Sequence, residues 1–424
     1  METIALRFYG KNDLRLEAFE LPPIEDDELR VSVVTNSICM SDYKAVGLGA
    51  AHKRVPDDVA TRPVIIGHEF SGSIIEVGDR YREKFKVGQR FGIQPAIFYP
   101  GREFETPGYS FQYSGGQATV NNVPKEVLEM DCLLPYTGEG FFKASLAEPI
   151  SCIIGAFKSS YHHILGSYGH TMGTKRNGAM AILAGAGPMG LAAVDYALHG
   201  RSKPRLLVVS DIDKERLNRA AEIFSPAKAL RQGVELKYVD VSSGNPVNEL
   251  LSLSKGKGYD DVFIFAAVEE LVTQGSRLLA QCGCLNFFAG PTDTEFSANI
   301  NFYDVHYNGH RIVGSSGGNK DDMKDALGLI ASENINPAVL ITHIGGIDSA
   351  ADATLNLPKI PGGKKLIYTH KSLPLTALKD FKTLGRDDPF FAGLAEIISK
   401  NNELWSAEAE NYLLENAKDI ELNR

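Results

Sequence analysis

The sequence predicts an α/β protein in which a β-rich region precedes a doubly wound parallel sheet. Residues 3–9, 14–20 and 29–36 form short alternating or β-rich runs that are separated by turn residues. From residue 179 onward, apolar strand patterns alternate with helix patterns, which is typical of a parallel sheet with helices on both faces. A glycine-rich turn lies at the first junction between such a strand and such a helix, at residues 185–190.

The surroundings of this turn predict a dinucleotide-binding site. The apolar run 179–184 is typical of a buried strand and 191–198 of a helix, while the next apolar run, 206–209, leads to Asp211, 21 residues after Gly190. In this arrangement a pyrophosphate lies at the helix N-terminus, where free N–H groups and the helix dipole favour an anion. A glycine-rich turn in some other α/β domain is the alternative.

Each residue of the turn has a predicted role in cofactor binding. Gly185 permits the tight turn, Gly187 lets the backbone approach the pyrophosphate, and Gly190 lets the helix pack on the strand. Pro188 and Met189 complete the cofactor-binding turn.

The acid at the end of the second strand bears on the choice of cofactor. Asp211 would accept hydrogen bonds from the free ribose hydroxyls of NAD(H) and repel the 2′-phosphate of NADP(H). Ser210 and Arg216 stand close to it in sequence and could accommodate a phosphate. We expect Arg216 to be part of the cofactor site. Because of Asp211, NAD(H) is expected as the preferred cofactor, and NADP(H) is the alternative.

Length and composition exclude several classes of protein. The 424 residues suffice for two domains, and 43% hydrophobic with 23% charged residues is typical of a globular protein. The net charge of −9, without a long basic run, argues against a nucleic-acid partner. No apolar run approaches the roughly 18 residues of a membrane span, and no signal peptide is evident. Five scattered cysteines favour a reduced, cytoplasmic protein without disulfides.

Residues suited to zinc are spread through the first 150 positions. Cys39, His68 and Glu148 would offer sulfur, nitrogen and oxygen ligands, and Glu69 is a candidate fourth or alternative ligand. Their spacing carries no metal signal by itself. Cys39 alone could be a small buried hydrophobic residue and His68 a structural histidine.

The order of these motifs resembles the zinc-dependent medium-chain alcohol and polyol dehydrogenases. Cys39-Met-Ser41-Asp42 is followed by Gly67-His68-Glu69, then by Glu148-Pro149, the glycine-rich turn and Asp211. A glutamate as the third ligand, here Glu148, resembles the pattern of the sorbitol-dehydrogenase branch. Stretches such as His52-Lys53-Arg54 further resemble the L-sorbose-1-phosphate reductases within it.

This resemblance implies a fold and a domain order. The fold is a β-rich, GroES-like catalytic domain combined with a Rossmann domain. The catalytic zinc domain would occupy residues 1–153, the dinucleotide-binding domain 154–311, and a return to the catalytic domain 312–370. Residues 371–424 extend beyond the resemblance, and apolar residues at helical spacing predict a helical C-terminal extension there. A homo-oligomer, dimer or tetramer, is expected.

The resemblance also implies a reaction, in which a hydride passes between a nicotinamide cofactor and a polyol or ketose. One catalytic zinc would bind the substrate oxygen, Ser41 would accept the hydroxyl proton, and Asp42 would hold His68 in one tautomer. Glu69 is included in the predicted catalytic set. A zinc-free quinone reductase and a non-catalytic nucleotide-binding protein are the alternatives.

Two departures from the family pattern limit this interpretation. Residues 94–118 lack the four cysteines that hold a structural zinc in many members, so a second zinc is not expected. Lys44 stands where many members have a proton-relay histidine.

Two further segments carry predictions from their side chains. Lys53 and Arg54 are the expected substrate phosphate site, although a solvated loop would explain the same charges. The histidine-rich segment around His162 and His163 is expected to be a solvated loop rather than a metal site.

Overall fold

The computed structural model describes residues 1–422, which form two compact units. One unit comprises Met1–Ile150 and the chain from Asn319 onward, and the other comprises Ser151–Gly318. The boundaries predicted after residues 153 and 311 fall within seven residues of this division.

The first part of the chain is dominated by strands. Its strands are β1 (Glu2–Gly10), β2 (Asp13–Glu20), β3 (Leu29–Ile38), β4 (Val64–Ile65), β5 (Phe70–Val77), β6 (Arg90–Ile93), β7 (Val120–Val123) and β8 (Leu133–Pro135). Its helices are α1 (Met40–Leu48), α2 (Lys125–Glu129), α3 (Phe141–Ser145) and α4 (Ala147–Ser159).

Strands and helices alternate in the middle of the chain. The strands are β9 (Tyr161–His163), β10 (His170–Met172), β11 (Ala179–Leu183), β12 (Leu206–Asp211), β13 (Glu235–Asp240), β14 (Tyr259–Ile264), β15 (Leu279–Phe287) and β16 (Arg311–Gly314). The helices are α5 (Pro188–His199), α6 (Lys214–Ile223), α7 (Pro226–Arg231), α8 (Pro246–Leu253), α9 (Glu269–Arg277) and α10 (Phe302–Tyr307).

The chain then returns to the first unit. This part contains α11 (Lys320–Ala331), β17 (Ile341–Gly346), α12 (Ala350–Leu355), β18 (Lys364–Tyr368), β19 (Thr376–Ala377), α13 (Phe381–Leu384), α14 (Pro389–Lys400) and α15 (Ala407–Asn416).

The middle unit has the predicted doubly wound sheet. Within residues 151–318, all of which are described, six parallel strands lie in the order β13-β12-β11-β14-β15-β16. Counted from β11, this is the order 3-2-1-4-5-6 of dinucleotide-binding folds. Every residue of β11 and β12 is buried, because helices cover both faces of such a sheet and its central strands are therefore apolar throughout.

The first unit has a mixed sheet that joins the two ends of the chain. In the described residues its order is β19-β17-β18-β3-β5-β6-β8, and β7 also pairs with β3. Strand β18 runs antiparallel to β3, with Tyr368 opposite Thr35 and Lys365 opposite Ile38. The closing strand thus lies directly beside the strand that leads to Cys39. The prediction of a β-rich domain combined with a doubly wound parallel sheet is confirmed.

The C-terminal helices pack on the mixed-sheet unit. Helix α14 begins with a capped first turn, in which the Asp388 side chain accepts a hydrogen bond from the N–H of Phe390 and proline occupies the first helical position. Trp405, Leu394 and Leu413 are buried in one apolar cluster with residues of β17 and β18. The extension is therefore part of the core of the first unit.

One prediction from the histidine-rich segment is wrong. His162 lies in β9 and is buried, not in a solvated loop. Its Nε2 is 3.1 Å from Oδ1 of Asp261, and its Nδ1 is 3.2 Å from the carbonyl oxygen of Cys282. A buried imidazole requires partners on its ring nitrogens, and these come from strands more than 90 residues away in sequence.

Candidate functional site

Cys39 lies where β3 ends and α1 begins. It is the N-cap residue of α1, and its backbone N–H donates to Oδ2 of Asp42 at 2.9 Å. This bond satisfies a donor at the helix N-terminus and orients the Asp42 carboxylate. Asp42 is 2% exposed, so the start of the helix carries a fixed and buried acid.

His68 contacts the same carboxylate. Its Nδ1 is 2.9 Å from Oδ1 of Asp42. Burial alone would raise the pKa of Asp42, but the positive charge of His68 and hydrogen bonds from His68, Cys39 and Tyr109 lower it. Burial opposes protonation of His68, yet the Asp42 carboxylate raises the pKa of that imidazole well above 6.5. Asp42 thus occupies Nδ1 and leaves Nε2 for another partner.

Cys39, His68 and Glu69 come together as a possible metal centre. One ligand atom from each of the three lies within 4.8 Å of the other two. Sulfur, nitrogen and oxygen donors in one cluster fit the preferences of zinc, and three protein ligands leave a fourth position open. The predicted ligands Cys39 and His68 are joined here by Glu69, the predicted alternative.

Two buried side chains hold Glu69. Its carboxylate accepts hydrogen bonds from the ammonium of Lys364 and the hydroxyl of Ser37. Burial would lower the pKa of Lys364, but the negative charges of Cys39 and Glu69 raise it well above its usual value. The lysine therefore stays charged and balances the anionic ligands. Sequence reasoning assigned no role to Lys364 or Ser37.

Glu148 lies in the same unit, in the first turn of α4, and is 8% exposed. Its charge is one of those that raise the pKa of Lys364, which places its carboxylate near that ammonium. Among the described residues, the cluster with ligand atoms close together is Cys39, His68 and Glu69. Glu148 as the third zinc ligand remains a prediction.

Ser41 lies beside the possible metal centre. Its hydroxyl oxygen is 3.6 Å from the Cys39 sulfur, and the residue is exposed. The side chain can therefore be reached by a substrate that approaches the cysteine.

Lys53 and Arg54 differ in their surroundings. Lys53 is exposed, with its ammonium 5.2 Å from the centre of the Phe104 ring. Arg54 is half-buried, and its carbonyl oxygen accepts a hydrogen bond of 2.7 Å from the Ser110 hydroxyl. Its guanidinium forms no ion pair with a carboxylate in residues 1–422. Its charge nevertheless acts on Tyr109, which contacts both Asp42 and His68.

The glycine-rich turn is closely packed at one glycine and open at another. A Cβ atom on Gly190 would lie 2.2 Å from the carbonyl oxygen of Gly185, so only glycine lets the helix approach the turn this closely. A Cβ on Gly187 would meet nothing within 4 Å. The turn thus leaves open space beside Gly187, where the first residues of α5, Pro188 and Met189, begin the helix.

Asp211 is fixed at the end of β12. Its Oδ2 accepts the N–H of Ala186 at 3.0 Å, and its Oδ1 accepts the N–H of Asp213 at 3.1 Å. The acid therefore links its own strand to the glycine-rich turn. Arg216 is half-exposed, and its Nε is 3.2 Å from Oδ2 of Asp213. The structure brings Asp211 to the turn and pairs Arg216 with a neighbouring acid.

Two protein-family models match this chain, one in the first unit and the other mainly in the second. The Alcohol dehydrogenase GroES-like domain model matches residues 25–130, and the Zinc-binding dehydrogenase model matches residues 188–332. No helix in residues 1–422 has the length and apolarity required to cross a membrane.

Two bacterial relatives match nearly the whole chain. L-sorbose 1-phosphate reductase of Klebsiella pneumoniae is 50% identical over 99% of this chain and 98% of its own length. Mannitol-1-phosphate 5-dehydrogenase of Aliivibrio fischeri is 49% identical over 98% of both chains.

Solved structures share the fold at lower identity. A protein of Sinorhizobium meliloti 1021 assigned as a zinc-binding dehydrogenase and bound to NADP has a TM-score of 0.70 at 22% identity, over 87% of this chain and 100% of its own. 2R,3R-butanediol dehydrogenase of Bacillus subtilis has a TM-score of 0.69 at 22% identity, over 87% and 99%. The two domain models match in order, and relatives that are about 50% identical align with nearly the whole chain. The chain therefore belongs to the zinc-binding dehydrogenase family.

Proposed function

We propose that this protein is a zinc-dependent, nicotinamide-linked oxidoreductase that interconverts the hydroxyl of a sugar alcohol phosphate and the ketone of a ketose phosphate. The observation that carries the proposal is the cluster of Cys39, His68 and Glu69. Each of the three is held by a hydrogen bond: Asp42 contacts the backbone N–H of Cys39 and the ring of His68, and Lys364 contacts the carboxylate of Glu69. The two relatives of about 50% identity are named for sugar phosphates.

The side chains of the metal centre have distinct tasks in this reaction. Zinc, when bound, supplies a Lewis acid that polarises the substrate oxygen. Ser41 is exposed beside Cys39 and accepts the proton of the substrate hydroxyl during oxidation. Asp42 keeps Nδ1 of His68 occupied, which leaves Nε2 available as the metal ligand. Lys364 compensates the charge of Glu69.

The nucleotide is held by the glycine-rich turn and Asp211. The nicotinamide, when bound, supplies the carbon that accepts or donates the hydride. The open space at Gly187 admits the pyrophosphate to the N-terminus of α5. The fixed Asp211 carboxylate favours NAD(H), whose ribose carries free hydroxyls, over NADP(H).

Arg54 is the proposed anchor for the substrate phosphate. It is half-buried, has no carboxylate partner in the described chain, and is close enough to act on Tyr109 beside the metal centre. A guanidinium matches the planar geometry of phosphate oxygens. Lys53 is exposed and would add a second, weaker charge.

The alternatives are less favoured. A zinc-free quinone reductase would not need a cysteine, a histidine and a glutamate with ligand atoms within 4.8 Å of one another. A non-catalytic nucleotide-binding protein would not need the paired charges that surround them.

Assembly and location are also proposals. We expect a homo-oligomer and a reducing compartment such as the cytoplasm. The second expectation rests on the five cysteines, all of which are free thiols in the described residues.

A substrate panel with an arginine variant tests the proposal. Rates are followed by nicotinamide absorbance with phosphorylated and free ketoses, and with both NADH and NADPH. A charge-assisted hydrogen bond contributes about 1.5–3 kcal/mol, so Arg54→Ala should lower kcat/KM for the sugar phosphate by about 10- to 150-fold and leave the free sugar almost unchanged.

Arg62→Ala is the matched control, because Arg62 lies in the same segment but pairs with Asp58 on the surface. It should behave as the wild type with every substrate. An equal and small effect of Arg54→Ala on both sugars would contradict the phosphate anchor. Better catalytic efficiency with NADPH than with NADH would contradict the cofactor preference.

A further inference from the structure

The segment without cysteines, residues 94–118, places a tyrosine against the metal centre. Tyr109 is 1% exposed. Its hydroxyl donates to Oδ1 of Asp42 at 2.8 Å and is also 2.8 Å from Nδ1 of His68. The centre of its ring is 5.0 Å from that of the His68 ring. The phenol therefore touches the metal-ligand histidine and its acid partner at once.

We infer that Tyr109 is a positioning residue of the metal centre, which holds the His68 ring in the orientation and tautomer that a metal ligand requires. The inference rests on the proposed function, in which the cluster binds zinc. Tyr109 acts through His68 and Asp42.

Counting donors and acceptors explains the tautomer. The Asp42 carboxylate can only accept, and one of its oxygens is already bonded to the N–H of Cys39. The one hydroxyl proton of Tyr109 goes to the other oxygen, Oδ1. The remaining lone pairs of the phenol oxygen can then accept only from an N–H, and Nδ1 of His68 is at that distance. All three contacts are satisfied when Nδ1 carries the proton and Nε2 is free to bind metal.

The triangle of contacts also restricts movement of the ring. With Asp42 alone, Nδ1 of the His68 ring would have a single hydrogen-bond partner. A second oxygen on the same N–H, together with a ring packed at 5.0 Å, restricts the ring further. Because Asp42 is itself tied to the backbone of Cys39, Tyr109 stabilises the geometry of two ligands relative to each other.

The backbone around Tyr109 is shaped to bring it there. Gly108 has φ of +87°, and a Cβ on it would lie 2.2 Å from the carbonyl oxygen of Gly67, the residue before His68. That same carbonyl accepts the N–H of Gly116 at 2.6 Å. The loop therefore packs closely against the backbone that carries the histidine, which only glycine permits at residue 108.

The same loop reaches the proposed phosphate anchor. Ser110, next to Tyr109, donates its hydroxyl to the carbonyl of Arg54 at 2.7 Å. One short stretch thus contacts both the metal histidine and the backbone of the arginine. In this chain the segment from 94 to 118 contributes hydrogen bonds to the active site.

Removing the hydroxyl alone tests the inference. Tyr109→Phe keeps the ring and loses the contacts to Asp42 and His68. Loss of such an outer partner typically weakens metal binding 10- to 100-fold. We expect the zinc dissociation constant, measured on the full chain by competition with a chromophoric chelator, to rise by about that factor, with a changed absorption spectrum of the cobalt-substituted protein.

Tyr136→Phe is the control for loss of a buried hydroxyl. The Tyr136 hydroxyl donates to the carbonyl of Glu139 at 3.1 Å, and the residue is 4% exposed. This variant should keep the zinc affinity and the cobalt spectrum of the wild type. If Tyr109→Phe also keeps both and only its melting temperature falls, the tyrosine is merely structural and the inference is wrong.

Histidine NMR provides a second measurement that does not depend on the stability of the variant. In zinc-loaded wild-type protein labelled with ¹⁵N-histidine, His68 should show a proton on Nδ1 that exchanges slowly with water. A zinc-loaded His68 with its proton on Nε2 instead of Nδ1 would contradict the inference while leaving zinc-dependent activity intact. Wild-type protein that binds no zinc would contradict the proposed function itself, and the inference with it.

Discussion

The glycine-rich turn and the metal centre recognise their partners by opposite means. The turn offers backbone and empty space, since a Cβ would be 2.2 Å from an oxygen at Gly190 and would meet nothing at Gly187. The metal centre offers side chains, and its acids Asp42 and Glu69 are buried and paired with His68 and Lys364. The turn should therefore be sensitive to added atoms, and the metal centre to removed atoms.

The largest expected effect is at the metal centre, where deleting one sulfur should abolish the reaction. Cys39→Ala removes a zinc ligand, and a bound metal contributes several kcal/mol of charge stabilisation. We expect kcat/KM to fall by more than about 1000-fold and zinc content to fall to background in elemental analysis. Nicotinamide binding, measured by fluorescence titration, should remain.

Wild-type turnover in that variant would show that the cluster is not the catalytic centre. Loss of nicotinamide binding together with zinc would break the comparison, because it would mean that the two regions are not independently built.

The second prediction sharpens the comparison by examining another buried carboxyl group in the first unit, that of Glu410. Both carboxylate oxygens of Glu410 accept N–H groups at the start of α3, from Phe141 at 2.5 Å and Phe142 at 2.9 Å. Burial raises the pKa of Glu410 from 4.5 to about 7, although these bonds, the Tyr368 hydroxyl and Arg90 oppose the rise. The folded protein therefore keeps a proton between these pH values that the unfolded chain has lost.

The sign of the pH effect follows from this difference. The stabilising contribution is fully present below pH 4.5 and is lost as the pH rises through about 7. The loss amounts to about 3 kcal/mol of unfolding free energy. Denaturant titrations at intervals from pH 5 to 8.5 should show this decline in the wild type and a flatter profile in Glu410→Gln. Equal slopes in the two proteins would contradict the prediction.

The smallest effect is expected at the turn, where one methyl group should matter at one glycine and not at another for stability. Gly190→Ala places a Cβ against the backbone of Gly185. Overpacking of this kind typically destabilises by about 1–3 kcal/mol, which thermal unfolding can measure. Gly187→Ala should leave stability unchanged, because Gly187 has φ of −77° and open space around its Cα.

Cofactor binding separates the roles of the two glycines. In Gly187→Ala the added methyl group should weaken nicotinamide binding by occupying the space assigned to the pyrophosphate. Both variants should retain full zinc. If Gly187→Ala binds the cofactor as tightly as the wild type, the pyrophosphate does not lie at this position.

The same contrast explains what the sequence could predict. The turn and Asp211 lie within 27 residues of each other, so strand, turn, helix and acid can be inferred from local pattern. At the metal centre, Cys39 and His68 belong to recognisable motifs. The sequence around Lys364 predicts a strand but no partner for the lysine, because Lys364 meets Glu69 across 295 residues through the pairing of β18 with β3.

Two other residues show the limit of local pattern. Nothing in the sequence distinguishes Tyr109 from the other aromatic residues of the cysteine-free segment 94–118. Its contact with His68 depends on the close approach of Gly108 to Gly67. His162 was expected in solvent, yet Asp261 from a distant strand provides its partner. In each case the tertiary fold, rather than the neighbouring residues, determines the environment.

The pairing of β18 with β3 has a consequence for the order in which the chain is made. Translation completes Ser151–Gly318 without interruption, so this unit can fold while the ribosome is still at work. Residues 35–38 of β3, by contrast, pair with residues 365–368 of β18. They therefore form an unpaired sheet edge until β18 has been synthesised. A nascent chain stalled before residue 364 should therefore bind chaperones through its first 150 residues, and zinc can be held in its final geometry only near the end of synthesis.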